Sequence, residues 1–206
     1  MNKIEYGRKL DFNNVLIRPK RSTINSRSEI DLKRKFKFKN SKNEWYNTPI
    51  IAANMDTIGT FEVYDILSKF NIVTALHKFY SYDEIVKNYS NRIMNSDLFM
   101  ISTGIGKDNG EKEIEELKKI FEIINCNWIC IDIANGYIKA LVDFCQKVRK
   151  RFPSKRIVAG NVATREMVEE LILNGGVDVV KIGIGPGSAC TTRLKTGVGV
   201  PQLSAV

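Results

Sequence analysis

The chain predicts an α/β fold, a (β/α)8 TIM barrel of which these residues hold about the first six strands. Three observations carry that reading. After residue 48, short apolar runs alternate with amphipathic stretches, the grammar of successive βα units. The runs are apolar throughout, as expected of strands buried on both faces of a parallel sheet. Polar or small residues follow almost every run: Asn54-Met55-Asp56, His77-Lys78, Ser102-Thr103-Gly104, Asp132, Asn161 and a cysteine loop around Cys190. In a barrel those strand ends converge on one mouth, the usual position of an active site. A doubly wound sheet shares the alternation, but no G-x-G-x-x-G opens the first βα turn.

The elements follow in order. Residues 1–48 read as an N-terminal extension packed against the barrel. Within it, Lys33-Arg34-Lys35-Phe36-Lys37-Phe38-Lys39 alternates from Lys35 onward and suits a strand with one apolar and one solvated face. Residues 49–53 are the first barrel strand, and 60–70 a helix with Phe61, Tyr64, Ile66 and Leu67 on its apolar side. Residues 72–76 form the second strand. Ser81-Tyr82-Asp83-Glu84 has capping-box spacing and opens the next helix. Strand 98–102 precedes a helix over 111–124, apolar at Ile114, Leu117, Ile120, Phe121 and Ile124. Strand 128–132 leads to a helix over 138–152, which Pro153 stops. Strand 156–160 leads to a helix that Thr164 can cap and Asn174-Gly175-Gly176 closes. Residues 177–182 are the sixth strand.

Composition bounds the function. The 206 residues, 43% apolar, support one substantial core and one catalytic domain spanning 1–206. The sequence stops in mid-pattern at Leu203-Ser204-Ala205-Val206, so a longer parent protein, truncated here at its C-terminus, is expected. No apolar run reaches membrane-span length and no signal-peptide core precedes residue 10, so a cytoplasmic protein without membrane contact is expected. The net charge is +9, but the basic residues are spread along the chain and no nucleic-acid motif appears. Attraction of phosphorylated small ligands is the better use of that field. The four cysteines, Cys126, Cys130, Cys145 and Cys190, lack paired zinc spacing, and His77 is the only histidine. Cys126 and Cys130 flank an apolar strand and read as buried thiols.

Cys190 reads differently. Lys181-Ile182-Gly183-Ile184-Gly185-Pro186-Gly187-Ser188-Ala189-Cys190-Thr191-Thr192-Arg193 is a strand that breaks into glycines and delivers a cysteine, hydroxyls and an arginine. Glycines let backbone N–H groups approach an anion. A thiol needs a basic, partly exposed setting to be reactive, and Arg193 and Lys195 could help provide one. The plain alternative is a tight turn with an inert cysteine.

The same residues carry a resemblance. The stretch from Gly185 to Arg193, with Thr196-Gly197-Val198-Gly199 and Pro201-Gln202-Leu203-Ser204-Ala205-Val206, resembles the IMP dehydrogenase/GMP reductase family, on its GMP reductase side. Further matches are Leu10-Asp11-Phe12, Arg18-Pro19-Lys20-Arg21-Ser22, Ala53-Asn54-Met55-Asp56-Thr57, His77-Lys78, Asp132-Ile133-Ala134-Asn135-Gly136-Tyr137 and Ala159-Gly160-Asn161-Val162. They span almost the whole chain in family order. IMP dehydrogenases usually lack the Cys-Thr-Thr-Arg run and commonly insert a regulatory domain where only about twenty residues separate Lys78 from Leu98.

The resemblance implies NADPH-dependent reductive deamination of GMP to IMP, with release of ammonia, through a covalent thioimidate on Cys190. It implies that Thr192 relays a proton together with a glutamate beyond residue 206. It places Ser188 at the GMP phosphate, and Asn54 and Met55 near the base. Lys78, Asp132, Ile133, Ala134 and Asn161 match positions near NADPH. Ser26 and Arg27 match a segment that reaches the cofactor from a neighbouring subunit, so a homotetramer is implied. Carbonyls of Gly185, Gly187 and Cys190, with Arg193 at the same loop, match a monovalent-cation (K+) site. Each residue has a plainer reading: Asp132 as a helix cap, Lys78 as a solvated strand-end charge, Ser26-Arg27 as ordinary loop, Asn161 as a loop hydrogen-bonder, His77 as a structural histidine. The alternatives in function are an IMP dehydrogenase without its regulatory domain, or a fragment without turnover.

Overall fold

A computed structural model describes residues 6–188 and 190–206. Six parallel strands form one sheet in chain order: β3 (Ile51–Ala52), β4 (Val73–Ala75), β5 (Phe99–Thr103), β6 (Trp128–Asp132), β7 (Arg156–Val162) and β8 (Val179–Ile182). Each strand pairs with the next in sequence, without the reversal of order that marks a doubly wound sheet. The result is a curled half-barrel of the (β/α)8 type. An antiparallel hairpin, β1 (Arg34–Lys37) and β2 (Glu44–Asn47), precedes it.

The helices are α1 (Phe61–Leu67), α2 (Tyr82–Ser90), α3 (Glu111–Ile123), α4 (Lys139–Arg151), α5 (Arg165–Leu173), α6 (Thr192–Thr196) and α7 (Gln202–Ala205). The apolar stripe of α3 buries Ile114, Leu117 and Ile120, and that of α4 buries Leu141, Phe144, Cys145 and Val148. Basic residues Arg149, Lys150 and Arg151 crowd the last turn of α4, where the helix dipole favours them. The capping box at α2 forms as its spacing predicts: Ser81 accepts from the Glu84 N–H, and the Glu84 carboxylate accepts from the Ser81 N–H. Thr164 takes the N-cap position of α5, but its hydroxyl meets the Tyr137 hydroxyl at 3.2 Å instead of capping the backbone.

Two strands are shorter than the apolar runs suggest. β3 is an edge with a partner on one side only, and Pro49 brings no N–H to a ladder. Before β8, Asp178 is drawn into anchoring: its carboxylate pairs with Arg149 at 2.5 Å and accepts from the Ile157 and Ser41 N–H groups.

The hairpin closes the bottom of the sheet. Trp45 and Phe38 meet Trp128 edge-on at 5.5 and 5.6 Å. Arg156, only 5% exposed, ion-pairs with Asp97 at 2.6 Å, donates to Asn43 and to the Glu44 carbonyl, and lies over the Trp128 ring. Every partner is fixed, as a buried guanidinium requires.

Candidate active site

The C-terminal ends of the strands enclose a cleft of about 600 Å³. Its walls include Ala75, Met100, Cys130 and Val158 from the strand interiors, and Asn54, Met55, Asp132 and Asn161 from the strand ends. Asn54, Met55, Asp132 and Asn161, singled out from sequence, thus converge although about a hundred residues separate the first from the last.

Lys181 holds the centre of this group. It stands in β8 among valines and isoleucines, so its ammonium must find partners inside the barrel. It donates to Asn54 Oδ1 at 2.7 Å and to the Asp132 carboxylate. Lys78 reaches the same aspartate, donating to its backbone carbonyl at 3.1 Å with its ammonium 3.6 Å from the carboxylate. Burial pushes the Asp132 carboxyl upward, but the Lys181 hydrogen bond and the charges of Lys181 and Lys78 outweigh it and hold the pKa below the ordinary value. Two ammonium groups against one carboxylate leave the mouth positive, which suits an anionic ligand. Asp132 is not a helix cap and Lys78 is not merely solvated. The sequence reading assigned no role to Lys181, although a lone charge inside an apolar strand run was the available signal.

Ile133 and Asn161 are tied by backbone bonds across β6 and β7: the Ile133 N–H donates to the Gly160 carbonyl and the Asn161 N–H to the Ile133 carbonyl, both at 3.0 Å. Ala134 follows, exposed. His77 stacks on Tyr80 at 3.9 Å, and its Nδ1 accepts from the Phe79 N–H, which fits a structural histidine.

The cysteine loop enters the cleft through Gly183 and Pro186. Cys190 and Thr192 lie beyond that wall, with Cys190 Sγ hydrogen-bonded to Thr192 Oγ1 at 3.2 Å. The four thiols divide sharply. Burial pushes Cys126 and Cys145 up to about 12 and raises Cys130, whereas hydrogen bonds from the Thr192 side chain and backbone lower Cys190. Cys190 is also the only one of the four that is not buried. Of the four thiols, Cys190 alone combines partial access with a lowered pKa, the setting in which a thiol can react.

The other loop residues are less concentrated. Ser188 is exposed. Gly187 O accepts from the Cys190 N–H at 3.1 Å and keeps a second lone pair. Arg193 packs beside Gly185 and Gly199 and donates to the Val200 carbonyl at 3.2 Å. Among the described residues no cluster of three histidine, cysteine or acidic side chains is placed to hold a metal. Ser26 caps a short 3-10 turn, Arg27–Glu29; both Ser26 and Arg27 are exposed and outside the cleft. No helix among the described residues is long and apolar enough to cross a membrane.

The chain is similar to known proteins along almost its whole length. The family model described as IMP dehydrogenase / GMP reductase domain matches residues 9–206. The chain is 56% identical to the GMP reductase of Buchnera aphidicola subsp. Schizaphis graminum, over 99% of this chain and 58% of that protein. It is 50% identical to the GMP reductase of Ascaris suum and 53% identical to human GMP reductase 2, each over 100% of this chain and 58% of the relative. The chain therefore spans 58% of the length of these curated relatives. The solved inosine 5′-monophosphate dehydrogenase of Legionella pneumophila superposes with a TM-score of 0.80 at 28% identity, over 96% of this chain and 58% of that one. A half-barrel whose last strand runs into a cysteine–threonine loop, met by a family match over almost the whole sequence, makes this chain a member of the IMP dehydrogenase / GMP reductase family.

Proposed function

We propose that this chain carries the nucleophile and much of the nucleotide cleft of a GMP reductase, which converts GMP to IMP with NADPH and releases ammonia. The observation that carries the reading is the Cys190–Thr192 pair, the one accessible thiol with a lowered pKa, on a loop whose stem borders the cleft that holds Lys181 and Asp132. The relatives of highest identity named above are GMP reductases. Between Lys78 and β5 the chain holds only α2, without room for the regulatory domain common in IMP dehydrogenases.

The Cys190 thiolate adds to the electrophilic C2 carbon of the guanine ring. The Thr192 hydroxyl relays a proton to the 2-amino group, the C2–N bond breaks, and ammonia leaves a thioimidate on Cys190. When bound, NADPH supplies the hydride that C2 accepts. The C2–S bond then breaks with its electron pair returning to Cys190. The sum is GMP, NADPH and one proton to IMP, ammonia and NADP+. Dividing the substitution into two steps is the gain of covalent catalysis.

Asn54 approaches the base, Lys78, Asp132, Ile133, Ala134 and Asn161 flank the cofactor, and Lys181 ties Asn54 to Asp132. Met55 borders the base. Ser188 and the neighbouring backbone receive the phosphate. Neutral carbonyls of Gly185, Gly187 and Cys190 suit a monovalent cation such as K+, since they bring no charge to hold a divalent one. Ser26 and Arg27, exposed and away from their own cleft, suit a cofactor held by a neighbouring copy, and so a homotetramer. A cytoplasmic enzyme of purine interconversion follows from the substrates.

The test follows NADPH absorbance with GMP, using enzyme at the relatives' full length. Wild type oxidises NADPH, and Cys190→Ala loses at least about a thousandfold in rate while retaining GMP binding. Undiminished turnover in Cys190→Ala removes the mechanism, and NAD+ reduction with IMP in place of NADPH oxidation assigns the dehydrogenase.

A further inference from the structure

Gln202, at the start of α7, occupies an unusual position. Its Nε2 donates to the carbonyl of Ile182, the last residue of β8, at 2.9 Å. That bond fixes which end of the amide faces the strand. The other end, Oε1, is buried and has no hydrogen-bond partner among the described residues. It lies where a side chain on Gly183 would begin, since a Cβ there would stand 2.5 Å from it. Gly183 has a φ of +136°, open to glycine and strained for other residues. The amide is therefore pressed against the backbone where the cysteine loop leaves the sheet. Gln202 thus stands between the cleft, which it borders with Gly183 and Pro186, and the stem of the cysteine loop.

Two further ties converge here. The Val200 N–H donates to the Ile184 carbonyl at 3.2 Å, one step outward from the Gln202–Ile182 bond. Arg193, next to Thr192, lies against Gly185 and Gly199, on either side of the same stem. The outgoing and returning limbs of the loop are thus closed at two successive levels, with the residue after Thr192 wedged between them.

The stem is also anchored from the far end of the sequence. The Gln202 N–H donates to Asp11 Oδ1 at 3.3 Å, and the same carboxylate oxygen accepts from the Phe12 N–H. Leu10 and Ser204 exchange bonds: Leu10 N–H donates to Ser204 Oγ at 2.7 Å, and Ser204 N–H donates to the Leu10 carbonyl at 3.1 Å. Residues almost two hundred positions apart in sequence thereby share one clamp.

We propose that Gln202 is a positioning residue that locks the stem of the Cys190 loop, and that Asp11 completes the lock from the N-terminal segment. The bonds of this lock run to Ile182, to Phe12 and between the two residues, and not to Cys190 or Thr192. The inference rests on the reading of Cys190 as nucleophile for its catalytic consequence, but the lock itself does not depend on that reading.

The test compares Gln202→Leu, Asp11→Ala and the double variant. Hydrogen–deuterium exchange, read by mass spectrometry without nucleotide, is expected to quicken about fivefold in residues 183–200 in each single variant, with β5, β6 and β7 unchanged. The double variant exchanges no faster than Gln202→Leu alone, because the two residues act through one chain of bonds. In enzyme at the relatives' full length, kcat falls about ten- to a hundredfold while KM for GMP stays within about threefold. A uniform rise across all strands makes Gln202 a general stability residue and overturns the proposal, as do unchanged exchange in residues 183–200 or additive effects. Should Gln202→Leu fail to fold, Asp11→Ala alone must still loosen the loop. If the loop loosens but kcat is unmoved while Cys190→Ala stays active, the lock stands and the catalytic reading falls.

Discussion

The two ends of β6 do opposite work. Trp128, at its start, lies in the closed aromatic floor; Asp132, at its end, lies in the charged mouth. Four residue steps, about 13 Å of strand, separate them. Both ends bury charge. At the floor, Arg156 spends its donors on Asp97, Asn43 and the Glu44 carbonyl. At the mouth, Lys78 and Lys181 converge on one carboxylate and retain donors for something else. The guanidinium at the floor is sealed by these partners and by the Phe38 and Trp128 rings, whereas the two ammonium groups at the mouth stay partly open to a ligand. Only a thin layer divides the two regions, since Ile51 and Met100 line both the cleft and the apolar cavity beneath it.

The contrast breaks or sharpens under substitution. The largest effect is expected at the floor: Trp128→Ala should lose about 3–5 kcal/mol in urea unfolding. The alkylation rate of Cys190 at neutral pH should stay at the wild-type value. A slowed or quickened thiol would mean that the two ends are coupled. Next, Arg156→Leu strands a partly buried Asp97 and should cost about 2–3 kcal/mol, again without effect on the thiol.

Lys181→Met moves to the mouth and should cost about 1.5 kcal/mol at pH 7, the worth of a hydrogen bond to a charged group. Its sign with pH is set by Asp132, whose folded pKa lies below the ordinary 3.8. A lowered carboxylate pKa stabilises the fold above the unfolded value, and that contribution is lost as pH falls through the folded value. The gap between wild type and Lys181→Met should therefore be full at neutral pH and close below about pH 4. A gap that is constant with pH would show that Lys181 matters through packing alone. The smallest effect is Ser81→Ala, which removes the α2 cap: about 1 kcal/mol in unfolding, with the alkylation rate of Cys190 unchanged.

The sequence was most legible where local rules and tertiary structure agree. Trp128–Asp132 is apolar over its first four residues and forms a strand, and Ser81 with Glu84 caps a helix as the spacing implies. The sheet order resolves what alternation alone left open between a barrel and a doubly wound sheet. The second strand of the hairpin, Glu44–Asn47, was not anticipated because its Trp45 points to a floor that other strands build. Asn54, Asp132 and Asn161 stood out as polar residues closing apolar runs. Lys181 did not, because its meaning lies in Asp132 and Asn54, which approach it only after folding. Gln202 was visible within a family block, but its role depends on Asp11 and Ile182, contacts that sequence spacing does not encode. Thr164 stands at the N-cap position its residue type favours, yet Tyr137 claims its hydroxyl.

The aromatic floor has a practical consequence for spectroscopy. The chain has two tryptophans, Trp45 and Trp128, and both indole N–H groups donate to one carbonyl, that of Asp97, at 3.4 and 3.2 Å. Neither lines the cleft at the strand ends. Intrinsic fluorescence of this protein is therefore a gauge of the barrel's base, expected to stay silent when ligand enters at the opposite end and to change when the hairpin lifts away.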